Sequence, residues 1–216
     1  MFRILMGLLG VVGLIAATSL LFGGGSLLVL ESTLADEEGF IESVPFDIEV
    51  DGYAVVAGPA EIDLTPDVPI DLGEIATLRI RASHEDPGSG LFVGVAYADD
   101  VDVYLGGVPH AIVEDLDEEE FSLTYRVDAS GELPGAPGEQ SFWIESTHGL
   151  GMQTIEWEIE TGDVSFVVMN EDATDGMSFE AIVGARVPLI RTAGTGLLIA
   201  GGVALAVGTI LLAIAL

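Results

Sequence analysis

The hydrophobic positions of this 216-residue chain form two long uninterrupted runs at its ends and short alternating patterns between them. Residues 4–30 and 192–216 contain no charged side chain. Each run exceeds the roughly 20 residues that an α-helix needs to cross a bilayer core. The sequence therefore predicts one transmembrane helix in residues 1–30, acting as a signal anchor, and a second in residues 191–216.

Residues 31–190, between the two runs, have the pattern of many short strands. In Ile155–Ile159 the apolar residues alternate with glutamates, which is typical of a strand with one face on a core. Leu91–Tyr97 and Val164–Met169 are apolar throughout, as strands buried on both faces are. Turns rich in Gly, Pro and Asp separate these strands. The predicted fold class is mainly β: an antiparallel β-sandwich or jelly-roll-like ectodomain flanked by two transmembrane α-helices.

The stretch Tyr97–Gly107 contains three aspartates and could be a metal-binding loop or a short helix. The calcium loop of an EF-hand fails here, because its required glycine and final glutamate are absent. A helix fits, with Val101, Tyr104 and Leu105 on one face and Asp99 or Asp100 as the cap. We expect a short capped helix between two strands.

Charge adds information that the hydrophobic pattern lacks. The chain has 36 acidic and six basic residues, all of them arginine, and a net charge of −30. Every acid lies in residues 31–191 with five of the arginines, so that this segment carries −31. Such a domain repels itself at low ionic strength, whereas molar salt shortens the screening length to about 3 Å. We interpret the acidity as adaptation to concentrated salt. It excludes nucleic acid as a partner, and the lack of Cys excludes disulfides.

The order of charges around the first run indicates its orientation. Arg3 precedes the run and four acids follow it within residues 31–38, which favours an internal amino terminus and an external domain. Arg186 and Arg191 act against this, but long loops cross membranes largely regardless of charge. A cleaved signal peptide ending at Thr33–Ala35 is the alternative, although the apolar run is about twice the usual length. We expect a two-pass cell-membrane protein, most of it extracytoplasmic.

Small residues recur along both runs at spacings that let helices approach closely in lipid. In the second run four of them stand four apart: Gly196, Ala200, Ala204 and Gly208. In the first run a set recurs at near-heptad spacing: Gly10, Gly13, Ala17 and Gly24. These rows fit a packed pair of helices or docking to a partner membrane protein. They also fit the general frequency of Gly and Ala in membrane helices.

Three arginines, Arg79, Arg81 and Arg126, point outward from two of the predicted strands. If those strands are neighbours, the arginines form a positive patch that suits a carboxylate or an acidic sugar. Cross-strand pairing with Glu156 and Glu158 is the simpler interpretation.

Trp143 lies on the opposite face from Phe142 and Ile144 in its segment. An exposed Trp143 would stack on a sugar, and a buried one would fill a second apolar layer. The sequence leaves both open.

Oxygen-rich side chains follow a buried strand in the segment NEDATDG, residues 170–176. As a calcium loop it would use Asn170, Asp172 and Asp175. A plain turn needs only Asp and Gly, and we favour it in a chain with so many acids.

The three histidines, His84, His110 and His148, show no metal or catalytic spacing. We therefore expect isolated histidines, no cofactor and no enzymatic activity.

Two segments together suggest a family. FVGVAYADDVDVYLGGVPHAIV, residues 92–113, and the segment from Pro134 to Asp172 resemble uncharacterised prokaryotic membrane proteins of the halophile and actinobacterial type. That family has a terminal helix at each end and an extracytoplasmic β-rich domain between them. The resemblance implies this topology and carries over no catalytic residue.

The function expected from these observations is a membrane-anchored interaction or structural module of the cell envelope, such as an accessory subunit of a membrane complex. Its expected partners are the lipid bilayer and a membrane protein bound through the small-residue faces. The alternative is a glycan- or divalent-cation-binding ectodomain, and an enzyme ranks third.

Overall fold

Eleven strands, three α-helices and one short 3-10 helix (Pro137–Glu139) are present in the part of the chain that the computed structural model describes, residues 2–62, 76–117, 120–126 and 133–215. The α-helices are α1 (Phe2–Leu34), α2 (Ala98–Tyr104) and α3 (Pro188–Ala215). The strands are β1 (Ile41–Glu42), β2 (Phe46–Val50), β3 (Ala54–Ile62), β4 (Thr77–His84), β5 (Gly90–Tyr97), β6 (His110–Asp117), β7 (Glu120–Arg126), β8 (Glu145–Leu150), β9 (Gln153–Glu158), β10 (Gly162–Asn170) and β11 (Met177–Arg186).

The chain divides into two units, which we call the helix unit and the sheet unit. The helix unit comprises Met1–Ile41 and Val187–Leu216, and the sheet unit comprises Glu42–Arg186. The helices are longer than the segments expected from the sequence, because α1 continues past residue 30 to Leu34 and α3 begins at Pro188.

Two helices of the helix unit are long and apolar enough to cross a membrane. The qualifying spans are Met6–Leu34, with a mean hydropathy of 2.1, and Pro188–Ala215, with a mean hydropathy of 2.6. At about 1.5 Å per residue, either span exceeds the roughly 30 Å of a bilayer core. The prediction of one long apolar helix at each end of the chain is confirmed.

The sheet unit contains two sheets, and their strands are mostly antiparallel as expected. In the first sheet the order is β1-β11-β4-β9, with β2 also paired to β11. In the second sheet the order is β7-β6-β3-β10-β5-β8. One pair departs from the expectation, because β3 and β6 are parallel.

Helix α2 accounts for the parallel pair. The chain leaves β5, passes through α2 and enters β6 three strands further along, with β10 and β3 between them, and a parallel return needs such a crossover. The helix was predicted correctly, with Val101 and Leu105 buried. Its predicted cap was wrong, because the N-cap is Tyr97 without a side-chain hydrogen bond and the aspartates occupy the first turn.

The main core lies between the two sheets. Ile48, Trp157 and Phe179 from the first sheet pack with Val93 and Phe166 from the second. Alternation along each strand produces this arrangement, since every second side chain faces the opposite sheet. The sheet unit is therefore two packed sheets, a β-sandwich.

A second apolar layer covers the outer face of the second sheet. It joins Phe92, Val167 and Met169 of that face to Val101 of α2 and to Leu105, the C-cap of that helix. Strands β5 and β10 are consequently buried on both faces, which explains why their sequences are apolar without alternation.

Candidate functional site

Arg79 lies at the centre of an ion-pair cluster on the outer face of the first sheet. It is 5% exposed, and its Nε and Nη2 atoms both donate to Glu156 Oε1, at 2.9 and 2.7 Å. Its Nη1 lies 3.4 Å from Glu42 Oε1. The β4–β9 register places Arg79 directly opposite Glu156, so the cross-strand pairing favoured from the sequence is present.

Glu42 links the two arginines of β4. Its Oε1 faces Arg79, and its Oε2 accepts a hydrogen bond from Nη2 of Arg81. Gly184 of β11 lies opposite Arg79 and has no side chain to obstruct this contact. The buried Nε of Arg81 has no hydrogen-bond partner among the residues that the structure describes. The guanidinium groups are thus engaged by carboxylates of the chain itself.

The three arginines do not form the single positive patch that neighbouring strands would have produced. Arg79 and Arg81 lie on β4 of the first sheet, whereas Arg126 ends β7 at an edge of the second. The backbone of Arg126 pairs with His110, and its side chain lies outside the described residues. Arg186 extends the polar face of β4 instead, because its Nη2 donates to Thr77 Oγ1 at 3.3 Å.

Trp143 belongs to an aromatic cluster over the second sheet. Its ring centroid lies 4.9 Å from that of Phe92 and 4.5 Å from that of Phe142, and its Nε1 donates to Pro137 O at 2.9 Å. Trp143 is half-buried and its polar atom is satisfied. The sequence left open whether Trp143 stacks on a sugar or fills a second apolar layer. These contacts favour the second apolar layer.

Gly94 makes room for this cluster. A Cβ atom there would lie 2.8 Å from ring carbons of Phe92 and of Trp143. Tyr104 completes the cluster and donates its hydroxyl to Gly135 O at 2.6 Å. Burial raises the pKa of Tyr104 to about 12, because the phenolate would lose hydration.

Asn170 and Asp172 hold a tight turn between β10 and β11. Asn170 Nδ2 donates to Thr174 O, Thr174 Oγ1 and Gly176 O, at 3.1 to 3.2 Å. Thr174 donates its hydroxyl to Asp172 Oδ1 at 2.7 Å, which lowers the pKa of that carboxyl. Ala173, at φ 57°, supplies the left-handed residue of the turn. These hydrogen bonds are those of a plain turn, the interpretation that we favoured from the sequence over a calcium loop.

Asn170, Asp172 and Asp175 are not assembled as a set of cation ligands. A cavity of about 410 Å³ beside the turn is lined by Asn170 and Asp172 but not by Asp175. Among the described residues the buried Oδ1 of Asn170 lacks a partner, while its Nδ2 is held by Thr174 and Gly176 within the turn. The described residues contain no group of three His, Asp or Glu arranged to hold a metal ion.

Each histidine has separate partners. His148 Nδ1 lies 2.8 Å from Glu171 Oε1, and His110 Nδ1 lies 2.8 Å from Val108 O. His84 Nδ1 accepts the backbone N–H of Asp86 at 2.9 Å. Strand positions and turns account for these contacts.

Glycines line the contact between α1 and α3 in the helix unit. Three small residues of α1, spaced by seven, are buried: Gly10, Ala17 and Gly24. Three glycines of α3 are buried at the same spacing: Gly194, Gly201 and Gly208. Their approach is close, because a Cβ on Gly24 would lie 2.7 Å from Gly194 O. The helices run antiparallel, since Gly10 meets Gly208 while Gly24 meets Gly194.

Only part of the small-residue row expected on α3 lies in the contact with α1. Gly208 lies in the contact and Ala204 is half-buried, but Gly196 and Ala200 are exposed. A Cβ on Gly196 would meet nothing within 4 Å. A spacing of four drifts around the helix, whereas a spacing of seven keeps each residue on the seam with the other helix. The buried glycines of α3 share the near-heptad spacing that was noted on α1.

A cavity of about 490 Å³ lies where α1 ends, lined by Glu31, Asp36, Glu37, Glu38 and Arg191 among others. Asp36 is structural, because its Oδ1 accepts the backbone N–H groups of Glu38 and Phe40 at 2.9 and 2.8 Å. This carboxylate closes the turn after the helix.

Comparison with known proteins adds little to this geometry. No protein-family model matches the chain, and no curated protein matches it. One solved structure with partial similarity contains the CBM22-1 and GH10 modules of Clostridium thermocellum endo-1,4-beta-D-xylanase 10B with xylohexaose. The identity is 10%, the TM-score is 0.24, and the match covers 65% of this chain. The chain spans a quarter of that structure's length.

Proposed function

We propose that the protein is a membrane-anchored, extracytoplasmic interaction or structural module of the cell envelope, and that it serves as an accessory subunit of a larger membrane complex. The observation that carries the proposal is the close antiparallel packing of two apolar terminal helices along buried glycines. Such packing suits lipid, where close backbone approach drives helices together.

The outer surfaces of the helices support a membrane location. Phe22 is 77% exposed, Ile199 is 65% exposed and Ile15 is 63% exposed. A core helix of a water-soluble protein would have these side chains covered, whereas a bilayer covers them with lipid. Helix α3 also lies far from the amino terminus, so a signal peptide does not account for it.

The contacts of α1 favour an uncleaved anchor over a signal peptide. The three buried glycines of α3 face α1, and removing α1 would leave their backbone without a packing partner. The acidic sheet unit then follows on the outer side, as the charge order around α1 predicts. A jelly-roll-like connection of its two sheets, and adaptation to concentrated salt, are parts of the same proposal.

A cross-linking experiment tests retention and pairing of the helices. The chain contains no Cys, and a Cβ on Gly7 would lie 3.5 Å from Cβ of Ala215, within the range of disulfides. Gly7→Cys with Ala215→Cys should form a disulfide when isolated membranes are oxidised, and the fragments of a proteolysed sheet unit should stay joined. The control pair, Gly23→Cys with Ala215→Cys, should not. A product lacking residue 7, or equal cross-linking by both pairs, would refute the proposal.

A labelling experiment tests orientation. Val103, on α2, is 83% exposed and suits a single Val103→Cys substitution. A membrane-impermeant maleimide should label this cysteine in intact cells. Labelling that requires lysis would place the sheet unit in the cytoplasm and would contradict the extracytoplasmic part of the proposal.

A further inference from the structure

The cavity of about 490 Å³ in the helix unit lies where the two long apolar helices end side by side. Its lining comes from the last turns of α1, the turn that follows α1, and the first turns of α3. Leu28 and Ser32 contribute from α1, whereas Arg191 and Thr195 contribute from α3. We call this space the end cavity.

The length of the helices sets the depth of the end cavity in a bilayer. The span Met6–Leu34 contains 29 residues, which rise about 43 Å at about 1.5 Å each. A bilayer has a hydrocarbon core of about 30 Å and measures about 40–45 Å with its headgroup layers. A span centred on the core therefore extends about 6 Å into each headgroup layer. Leu28 then lies at the edge of the hydrocarbon, and Arg191 lies among the headgroups.

Unpaired groups of opposite charge line the end cavity. Arg191 is exposed, and its guanidinium forms no ion pair or hydrogen bond with any residue that the structure describes. The carboxylate of Glu31, half-buried in the same lining, also has no partner in the described part of the chain. Asp36 differs, because two backbone N–H groups of the turn bind its Oδ1. The cavity therefore offers one cationic group and one anionic group to a ligand.

The chemistry of these two groups selects the class of ligand. A guanidinium binds phosphate through charge-assisted hydrogen bonds, and a carboxylate accepts hydrogen bonds from a primary ammonium. A headgroup with phosphate alone would leave Glu31 beside a second negative charge. A headgroup with phosphate and a primary ammonium meets both groups, and Leu28 lies at the level where its acyl chains begin.

Concentrated salt does not remove contacts of this kind. Molar salt screens charges that are more than about 3 Å apart. Charge-assisted hydrogen bonds join atoms about 2.7–2.9 Å apart, within that screening length. The acyl chains add a hydrophobic contribution, which does not depend on charge. Binding at the end cavity is therefore compatible with the proposed adaptation to salt.

We propose that the end cavity binds the headgroup of one zwitterionic phospholipid that carries a primary amine, as phosphatidylethanolamine does. Arg191 binds the phosphate, and Glu31 binds the ammonium. Thr195, one helical turn after Arg191 and also in the lining, donates its hydroxyl to the same phosphate. This inference rests on the membrane location in the proposed function and adds a lipid ligand to it.

Lipid retention by the full chain in detergent tests the inference. The protein is incubated in 1 M NaCl with equal amounts of phosphatidylethanolamine, phosphatidylcholine and phosphatidylglycerol that have identical acyl chains. It is then repurified, and the bound lipids are quantified by mass spectrometry. We expect phosphatidylethanolamine to be retained several-fold more than the other two. The trimethylammonium of phosphatidylcholine cannot donate hydrogen bonds to Glu31, and phosphatidylglycerol has no ammonium.

Substitutions in the end cavity should change retention in different ways. Arg191→Gln should lower the retention of phosphatidylethanolamine several-fold, because the phosphate loses its cation. Glu31→Gln should remove the preference for phosphatidylethanolamine over phosphatidylglycerol, because the ammonium loses its acceptor. The matched controls are Arg3→Gln and Glu145→Gln, at positions outside the lining of the cavity. Both controls should leave the retention and the preference unchanged.

Each other result overturns the inference. These results are equal retention of the three lipids, retention of none, or a preference that Arg191→Gln and Glu31→Gln do not change. Displacement of the lipid by an equal concentration of soluble phosphoethanolamine would identify a soluble ligand instead. The disulfide between Gly7→Cys and Ala215→Cys, formed in each variant, verifies that the helices remain paired. Lost lipid preference with an intact disulfide contradicts this inference alone, whereas loss of the disulfide contradicts the proposed function.

Discussion

Replacing Glu156 by Ala tests whether the cluster around Arg79 stabilises the sheet unit. The substitution removes the two hydrogen bonds that Arg79 donates to Glu156 Oε1 and leaves the guanidinium with Glu42 at 3.4 Å. A buried charge that loses its partner costs about 3–5 kcal/mol. The Glu156 side chain is 42% exposed and Glu42 remains, so that water and the second carboxylate offset part of this loss.

We therefore expect Glu156→Ala to lower the free energy of unfolding by about 2 kcal/mol, near the value of a hydrogen bond to a charged group. For a domain of this size the loss corresponds to about 4–8 °C in Tm. Near-UV circular dichroism of the full chain in detergent provides the assay, because Trp157 is adjacent to the mutated residue and packs edge-on against Phe166 at 5.7 Å.

Glu158→Ala is the matched control, since Glu158 is an exposed acid on the same strand and face. Removing one acid from so negative a surface should change the free energy of unfolding by less than about 0.5 kcal/mol. The difference between the two variants should persist in 1 M NaCl, because burial of Arg79 limits screening. Equal effects of the two substitutions, or a difference that vanishes in salt, would refute the reasoning.

Four further outcomes follow from the same geometry. Gly24→Ala should slow disulfide formation by the Gly7→Cys and Ala215→Cys pair, because the added Cβ would lie 2.7 Å from Gly194 O. Gly25→Ala should leave the rate unchanged, because a Cβ there would have no atom within 4 Å. Gly94→Ala should overpack the aromatic cluster and lower the free energy of unfolding by about 1–3 kcal/mol. Thermal melting of the variant and the wild type should show this as a lower Tm. The pKa of Tyr104 is raised to about 12, so stability should fall as pH rises from about 10 to 12, and less so in Tyr104→Phe, as pH-dependent melts would record. The full chain should melt higher in 1 M NaCl than in dilute buffer, and an unchanged Tm would contradict the proposed salt adaptation.

Local patterns in the sequence predicted the elements well where one face or both faces of a strand are buried. Alternation identified β9, and continuous apolar runs identified β5 and β10. The parallel pair of β3 and β6 was not predictable in this way, because pairing direction depends on where the chain crosses the sheet. Strand type is encoded by neighbouring residues, whereas strand order is a property of the whole chain.

The candidate site shows the same division between local and distant information. The pairing of Arg79 with Glu156 was foreseeable from opposite charges on the outer faces of two strands. The contribution of Glu42 was not, since it lies 37 positions before Arg79 on a two-residue strand. Gln153 was also missed, because nothing in its own segment indicates that its amide would bind the carbonyls of the turn before it.

The glycine seam was present in the sequence but appears only when both helices are compared. Positions 10, 17 and 24 of α1 and positions 194, 201 and 208 of α3 share a period of seven. In antiparallel order the seams match, because Gly10 meets Gly208 and Gly24 meets Gly194. The row on α3 with a spacing of four has no row of the same spacing among the small residues noted on α1. Since a packing face must be matched by a face of equal period on the other helix, the shared heptad is the stronger criterion for choosing between small-residue rows.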